Sequence, residues 1–339
     1  MKAAQIKNKC KLEIINLPIP KIDKKNNVLI KIKAVGICGS DIGIYNNEIS
    51  TVKYPIIIGH ELIGIVKEIG SNVKNLKIGD RVIINQIINC NNCDFCKNGH
   101  HNLCDNILVR GVYTDGGCCE YIVVREEDCF IIPNKISDID AVMIEPLTIA
   151  LQACKNADLK KDDNLLILGF GAMGSVIFKI AQLICNNIII ADTNDYKLEI
   201  AKKENAKYTI NILNENLTDK INQYTKGYGT NISIDSACTN ESLSTLLNVT
   251  RKNGRIITLA VSTKNIEINP FLITSKELTI KGSRIQNQMF NKAISLVNEN
   301  KINLNNYVSH TFNINDIKEA FNLINSKDKS IRKVVITFN

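Results

Sequence analysis

The first half of the chain alternates apolar and polar residues with a period of two, the pattern of half-buried β-strands. Residues 28–34 read VLIKIKA, and residues 62–69 and 81–84 are rich in β-branched side chains that favour strands. Gly70 and Gly79 stand near the ends of these runs as turn residues. The pattern predicts a partly open β-barrel or β-sandwich in this half.

The pattern changes near residue 140, where apolar strands begin to alternate with longer apolar helices. A helix is predicted over 141–156, with an interruption at Pro146 because proline lacks a backbone N–H. The remaining predictions are strands at 164–168, 188–191, 232–237, 255–261 and 278–280, and helices at 172–185, 195–205 and 240–250. This alternation predicts α/β architecture, a doubly wound parallel sheet with helices on both faces.

The end of the chain departs from this alternation. Residues 288–298 and 314–324 predict helices, and residues 333–337 predict a final strand. That strand has no place in the expected order of the parallel sheet, so we expect it to return to the first domain.

The composition is that of an ordinary globular protein, with 339 residues, 45% of them hydrophobic, and no Trp. This length allows two domains with separate cores. No apolar run approaches the ~20 residues of a membrane span, and residues 1–17 lack the continuous apolar stretch of a signal peptide. We therefore expect a cytoplasmic protein without membrane contact, whose twelve cysteines stay reduced unless they bind metal.

The formal net charge of +8 comes from lysines spread along the chain rather than from one basic run. Such a distribution predicts a solvated surface with a mild attraction for anionic cofactors or substrates. No nucleic-acid-binding motif accompanies it, so nucleic acid is not an expected partner.

Four cysteines form the pattern C-x2-C-x2-C-x7-C, at Cys90, Cys93, Cys96 and Cys104. The intervening residues are small or polar, which indicates a loop that folds around a metal. Four thiolates are the ligands of a closed tetrahedral zinc site. An iron–sulfur cluster, disulfides or scattered reduced cysteines are the alternatives, and the expected compartment argues against disulfides. We predict a structural zinc site here.

A second motif, GFGAMG, follows an apolar strand and opens an apolar helix. In this context Gly169 permits a tight turn, Gly171 lets the backbone approach a pyrophosphate, and Gly174 lets helix and strand pack closely. Free N–H groups at the start of the helix, around Ala172 and Met173, then face the phosphates. The motif predicts a dinucleotide site.

Asp192 stands at the end of the next predicted strand. A carboxylate there accepts hydrogen bonds from both ribose hydroxyls of NAD and repels the extra phosphate of NADP. The alternative is that Asp192 caps the helix that follows Thr193. We predict NAD as the cofactor.

Three further segments carry candidate metal ligands: Cys38 in GICGSD, His60 and Glu61 in GHE, and Glu145 in IEPL. A thiolate, an imidazole and a carboxylate with one open coordination position make a catalytic zinc centre. Taken singly, each of these residues more often has a structural role.

Together, these motifs resemble the zinc-dependent medium-chain dehydrogenase/reductase family over essentially the whole chain. The resemblance rests on GICGSD, the GHE at 59–61, the four-cysteine lobe, DGG at 115–117 followed by Glu120 and Tyr121, IEPL at 144–147, and the glycine motif. Within the family the chain is most similar to the sorbitol dehydrogenase branch. KYP before GHE, the segment GVYTDGG and GSR at 282–284 resemble bacterial L-galactonate and L-gulonate 5-dehydrogenases more narrowly.

The resemblance implies the domain organisation. A GroES-like catalytic domain, a partly open β-barrel, is expected over residues 1–148, with the structural zinc lobe at about 88–106. A Rossmann NAD-binding domain is expected over 149–284. Residues 285–339 are then expected to return to the catalytic domain.

The resemblance also implies roles at the catalytic zinc. Cys38 and His60 are expected ligands. Either Glu61 or Glu145 is the third ligand, and the other contacts the metal-bound water. Asp41 is expected to orient His60 through the free ring nitrogen of the imidazole. With the four-cysteine lobe, this makes two zinc ions per chain.

Ser40 is expected beside the substrate hydroxyl, which the zinc polarises. Ser40 passes the proton outward, and hydride moves to the nicotinamide ring. Many relatives carry a histidine three residues after this serine, but here the position is Gly43. The proton is therefore expected to leave through water, Glu145 or the cofactor ribose.

The implied activity is NAD-dependent oxidation of a secondary alcohol of a polyol or sugar acid to a ketone. The alternatives are a sorbitol, butanediol or threonine dehydrogenase of the same fold, or a non-catalytic zinc- and nucleotide-binding relative. Arg284, directly after the last strand of the parallel sheet, is the candidate contact for a substrate carboxylate or hydroxyl, since its planar fork matches a carboxylate. A surface or subunit-interface arginine is the alternative. The relatives imply a homodimer or homotetramer.

Overall fold

The computed structural model describes residues 1–261, 264–326 and 328–338. The chain forms two compact units. The first contains residues 1–148 and 287–339, and the second contains residues 149–286. The chain thus leaves the first unit once and returns to it.

Most of the strands are short, with seven residues or fewer. In chain order they are β1 (Lys2–Asn8), β2 (Lys11–Asn16), β3 (Asn27–Ile37), β4 (Ile56–Ile57), β5 (Glu61–Ile69), β6 (Arg81–Ile84), β7 (Ile87–Ile88), β8 (Leu108–Val109), β9 (Tyr121–Arg125), β10 (Cys129–Ile131), β11 (Asn164–Leu168), β12 (Asn187–Asp192), β13 (Tyr208–Asn211), β14 (Thr230–Asp235), β15 (Thr250–Thr258), β16 (Thr279–Gly282), β17 (His310–Asn313) and β18 (Val334–Thr337).

The helices are concentrated in the second half. In chain order they are α1 (Gly39–Tyr45), α2 (Asp94–Lys97), α3 (Asp138–Ala141), α4 (Ile144–Ala157), α5 (Ala172–Gln182), α6 (Asp195–Lys203), α7 (Leu217–Thr225), α8 (Ser242–Val249), α9 (Pro270–Lys276), α10 (Phe290–Asn298) and α11 (Ile317–Asn325). Short 3-10 turns cover His101–Leu103, Glu126–Asp128 and Ile314–Asp316.

The first unit is organised around β3. On one edge β3 pairs with β5, and on the other it pairs first with β9 and then with β18. The main sheet runs in the order β10-β6-β5-β3-β18-β17, and β1, β2 and β4 form a separate three-stranded sheet. Apolar side chains of β3, including Ile30 and Ile32, are fully buried in one core with Leu62 and Phe321. The C-terminal strand, β18, is thus hydrogen-bonded into the first unit.

The second unit is a six-stranded sheet in the order β13-β12-β11-β14-β15-β16. Every neighbouring pair is parallel. Leu166, Ile189 and Ile256, one from each of three strands, belong to its buried core. This order is that of a doubly wound dinucleotide-binding sheet, which confirms the prediction of a parallel sheet with crossover helices.

Three elements of this unit were not predicted from the sequence: β13, α7 and α9. The edge strand β13 has four residues, and α7 has the mostly polar sequence LTDKINQYT. Only Ile221 and Thr225 of α7 are buried. So few apolar positions leave no clear helical period for a sequence pattern to detect.

The boundaries of several predicted elements were wrong, and three of them illustrate the differences. The helix predicted over 172–185 ends at Gln182, and the one predicted over 240–250 ends at Val249. The strand predicted over 255–261 runs instead from Thr250 to Thr258, so it includes the polar segment TRKNG. That segment suggests a turn in the sequence, but parallel pairing with β14 extends the strand through it.

The predicted interruption at Pro146 was also wrong. Helix α3 ends at Ala141 and α4 begins at Ile144, so the break precedes the proline. Pro146 lies in the first turn of α4, where a backbone N–H has no intrahelical partner to lose.

Within the described ranges, no helix combines the length and the apolar character needed to cross a lipid bilayer.

Candidate functional site

The GICGSD segment connects β3 to α1 and presents Cys38 at the start of the helix. The backbone N–H of Cys38 donates to Asp41 Oδ2 at 2.8 Å. Asp41 is fully buried, and burial raises the pKa of its carboxyl group, while His60 opposes that shift. Ser40, in the first turn of α1, is half-buried.

The GHE segment enters β5 through a tight turn. Gly59 has φ +93°, a left-handed conformation that favours glycine, and its N–H donates to Asp41 Oδ1 at 3.2 Å. The DGG segment packs directly on this turn, because a Cβ at Gly116 would overlap the carbonyl oxygen of Gly59. Asp41 therefore joins the segment that carries Cys38 to the segment that carries His60.

The side chains of Cys38, His60 and Glu61 converge. One ligand atom from each lies within 4.8 Å of the other two. His60 Nδ1 lies 3.8 Å from Asp41 Oδ1. Burial opposes the charged imidazole, yet Asp41 and a hydrogen bond with Cys38 raise the pKa of His60 well above its ordinary value.

This donor set fits a zinc ion. Glu61 is 1% exposed, and its Oε2 is buried without a hydrogen-bond partner. Burying a carboxylate oxygen away from water costs free energy, and only a nearby cation or hydrogen-bond donor offsets that cost. Thiolate, imidazole and carboxylate are the ligands that catalytic zinc sites use, with one position left for water or substrate. Of the two predicted carboxylates, Glu61 is the one in the cluster.

Glu145 lies in the first turn of α4 and is also buried. Its Oε1 accepts a hydrogen bond from Gln86 Nε2 at 2.5 Å. Burial raises the pKa of Glu145 to about 7; His60 lowers it and Glu61 raises it further. Within the described residues, the group of mutually close ligand atoms contains Glu61 but not Glu145.

Two residues of this site, Lys333 and Gln86, were missed by sequence reasoning. Lys333 directly precedes β18, and its Nζ donates to Glu61 Oε1 at 2.5 Å. Burial opposes the charged ammonium, but Glu61 raises the pKa of Lys333. A Cβ at Gly36 would overlap Glu61 Oε2, so glycine leaves room for this carboxylate. The only sequence feature that could have indicated Lys333 or Gln86 is a polar residue next to an apolar strand.

The four cysteines of the lobe also converge. The Sγ atoms of Cys90, Cys93, Cys96 and Cys104 lie within 4.8 Å of one another, as four ligands of one tetrahedral ion would. Backbone N–H groups of Asn92 and Cys93 lower the pKa of Cys90 to about 6, whereas burial raises the pKa of Cys104 to about 11. The donor set fits a closed structural zinc site.

The glycine motif has the geometry that its pattern predicts. Gly169 has φ +94°, and a Cβ there would lie 2.8 Å from the Ala237 nitrogen. A Cβ at Gly174 would overlap the carbonyl oxygen of Gly169, whereas a Cβ at Gly171 would meet no atom within 4 Å. Gly169 and Gly174 are thus required by packing inside the unit. Gly171 borders open space before α5, where a pyrophosphate would approach.

Asp192 ends β12 and is 7% exposed. Its two carboxylate oxygens accept from Phe170 N at 2.6 Å and from Asn194 N at 2.9 Å. The cap of α6 is Asn194, whose side chain accepts from Tyr196 N. Asp192 therefore holds the glycine turn against the end of β12 and does not cap the helix.

The remaining residues to place are Arg284 and the cysteine pair at positions 118 and 119. Arg284 belongs to the second unit, is exposed, and follows the end of β16 by two positions. Cys118 and Cys119 are 0% and 2% exposed and lie in the core of the first unit. Burial raises the pKa of Cys119 to about 12.

The chain matches known families in both halves. Residues 24–134 match the alcohol dehydrogenase GroES-like domain, and residues 172–299 match the zinc-binding dehydrogenase family. These matches and the parallel sheet confirm the predicted fold classes.

Two curated relatives are similar to this chain over most or all of their length. The starvation-sensing protein RspB of Escherichia coli K12 is 33% identical over 341 residues, covering 100% of both chains. L-idonate 5-dehydrogenase of Vitis vinifera is 34% identical over 310 residues, covering 87% of this chain and 84% of that protein.

A solved structure agrees with this relationship. The crystal structure of a short chain alcohol dehydrogenase (rspB) from Escherichia coli CFT073, complexed with NADH, superposes with a TM-score of 0.94 at 32% identity. The superposition covers 100% of this chain and 99% of that chain. The chain therefore belongs to the zinc-dependent medium-chain dehydrogenase/reductase family, in its sorbitol/idonate dehydrogenase-like part, and is an oxidoreductase with zinc and a nicotinamide dinucleotide as cofactors.

Proposed function

We propose that the protein oxidises a secondary hydroxyl of a sugar acid to a ketone with NAD, in the manner of an L-galactonate or L-gulonate 5-dehydrogenase. The observation that carries this proposal is the cluster of Cys38 with the buried His60 and Glu61, in a chain that also has a dinucleotide-binding sheet. The similarity to an L-idonate 5-dehydrogenase supports the substrate class, since that name specifies a hexonate oxidised at carbon 5.

The proposed chemistry assigns a task to each group. When bound, zinc supplies a Lewis acid that polarises the substrate hydroxyl. Ser40, two residues after Cys38 and half-buried, accepts the proton of that hydroxyl and passes it outward. Gly43 has no side chain that could take the proton onward, so we expect water to carry it away. Asp192 accepts from the ribose hydroxyls of NAD, with a preference over NADP.

Arg284 is our candidate for the carboxylate of the sugar acid. Its guanidinium is exposed near the carboxyl end of β16, and ligands of open parallel sheets bind beyond the carboxyl ends of the strands. A guanidinium holds a carboxylate through two parallel hydrogen bonds. We expect Arg284→Ala to raise KM for a sugar acid by about tenfold or more while changing KM for sorbitol little. An equal loss with both substrates would remove Arg284 from this role.

The test is NAD reduction with L-galactonate, L-gulonate, L-idonate, sorbitol, xylitol, butanediol and threonine at matched concentrations. Among these substrates, we expect the highest kcat/KM with a hexonate. A higher value with sorbitol, butanediol or threonine would reassign the substrate within the same fold. Absence of turnover with all of them, in protein that carries both zinc ions, would favour a non-catalytic nucleotide-binding protein.

A further inference from the structure

The carboxylate of Glu61 has two oxygens in different surroundings. Oε1 accepts a hydrogen bond from Lys333 Nζ at 2.5 Å, and Oε2 is buried without a hydrogen-bond partner. The two side chains are 4% and 1% exposed, so water does not compete for this ion pair. Oε2 is therefore the Glu61 oxygen that no protein hydrogen bond holds.

The position of Lys333 is defined by its backbone. The Lys333 carbonyl oxygen accepts from Ser309 N at 2.9 Å, from Ser309 Oγ at 3.1 Å and from His310 N at 3.3 Å. The residue after Lys333 begins β18, which pairs with the end of β3 next to Cys38. A lysine anchored in this way holds its ammonium group at Glu61 rather than in solvent.

A catalytic zinc site has to keep one coordination position open for substrate. Cys38, His60 and one oxygen of Glu61 fill three positions. If Glu61 bound through both oxygens, the second oxygen would occupy the position that the substrate needs. Carboxylates bind metals in both ways, so something must select between them.

We infer that Lys333 is a positioning residue that keeps Oε1 of Glu61 off the catalytic metal, so that Glu61 binds through Oε2 alone and the substrate position stays open. The inference rests on the proposed metal centre of Cys38, His60 and Glu61. It gives the C-terminal strand a function in the chemistry of a site whose ligands lie much earlier in the chain. It also accounts for the buried ammonium group, which folding alone would not favour.

The experiment uses the full-length protein with zinc in the four-cysteine site and Co2+ in the catalytic site. Visible absorption of Co2+ reports coordination number, because four-coordinate cobalt absorbs more strongly than five-coordinate cobalt. In Lys333→Met we expect the absorption to fall about twofold or more, since Glu61 gains a second contact. We expect kcat/KM to fall about tenfold or more. Lys333→Arg, which keeps a charged donor, should restore both within about threefold.

Two further variants control for misfolding and for the general loss of a lysine. Lys333→Leu also removes the donor to Oε1, and it tests the same point if Lys333→Met does not fold. Lys276→Met removes a lysine that donates to the carbonyls of Leu247, Asn248 and Thr250 in the second unit. It should lower thermal stability and leave the cobalt spectrum unchanged.

The outcomes distinguish a failure of the role proposed for Lys333 from a failure of the proposed metal site. If Glu61→Gln alters the cobalt spectrum while Lys333→Met and Lys333→Leu leave it unchanged, the role of Lys333 is refuted and the metal site stands. If Glu61→Gln also leaves the spectrum unchanged, Glu61 is not a ligand. The role of Lys333 then fails together with the proposed metal centre of Cys38, His60 and Glu61.

Discussion

At the scale of single residues, we expect Asp192 to determine which nucleotide this enzyme prefers. Asp192 accepts one backbone hydrogen bond on each oxygen and keeps free lone pairs that the ribose hydroxyls of NAD could use. We expect kcat/KM for NAD to exceed that for NADP at least about tenfold, on the order of 1.4 kcal/mol. Asp192→Ala should narrow this ratio, whereas Asp195→Ala, which removes an acid from the same turn, should not. Equal kcat/KM for the two cofactors in the unmutated protein would contradict the assignment.

The side chains of Glu61 and Glu145 also have different expected roles. Glu61 joins Cys38 and His60, whereas Glu145 accepts a hydrogen bond from Gln86. We expect Glu61→Gln to weaken zinc binding at the catalytic site by about 10–100-fold. Glu145→Gln should retain the zinc and lower kcat. Competition with a chelator, measured alongside turnover, distinguishes the two. Zinc loss from Glu145→Gln alone would make Glu145 the ligand.

At the scale of one element, the strand–turn–helix from β11 to α5 contains glycines with separate tasks. A Cβ at Gly174 would overlap the carbonyl oxygen of Gly169, while a Cβ at Gly171 would meet nothing within 4 Å. We expect Gly174→Ala to lower the free energy of unfolding by about 1–3 kcal/mol. Gly171→Ala should leave stability within about 0.5 kcal/mol and raise KM for NAD about tenfold. Urea denaturation and NAD titration of the same two variants provide the check, and a reversed order of effects would contradict it.

At the scale of the whole molecule, we expect two zinc ions per chain. Cys38→Ser should lose one of them together with turnover, and it should keep NADH binding because Gly171 and Asp192 lie in the other unit. Cys93→Ser should lose the other zinc and unfold at lower temperature, since a structural zinc contributes folding energy. Elemental analysis, NADH fluorescence titration and thermal unfolding report these effects.

The exposed Cys10 offers a matched control. Cys10→Ser should keep both zinc ions and the original unfolding temperature. One zinc or less in the unmutated protein, or iron in the four-cysteine lobe, would contradict the expectation of two zinc sites.

The sequence by itself determined the features that depend on neighbours along the chain. The strand at 164–168, the glycine turn after it and the four-cysteine loop were all identified from spacing, because turn conformation and metal chelation act over a few residues. Elements with a weak local sequence pattern were nevertheless missed or given wrong boundaries. The polar helix α7 and the polar first half of β15 are held in place by the sheet and not by their own patterns.

Tertiary structure alone decided how the metal site is completed. Lys333 and Glu61 are 272 positions apart, and no local pattern relates them. They meet because β18 pairs with β3 on the edge opposite β5, whose first residue is Glu61. The same pairing required Gly36, where a Cβ would overlap the Glu61 carboxylate. Which carboxylate joins Cys38 and His60 therefore depends on strand order and burial, since only folding brings these distant segments together and excludes water from them.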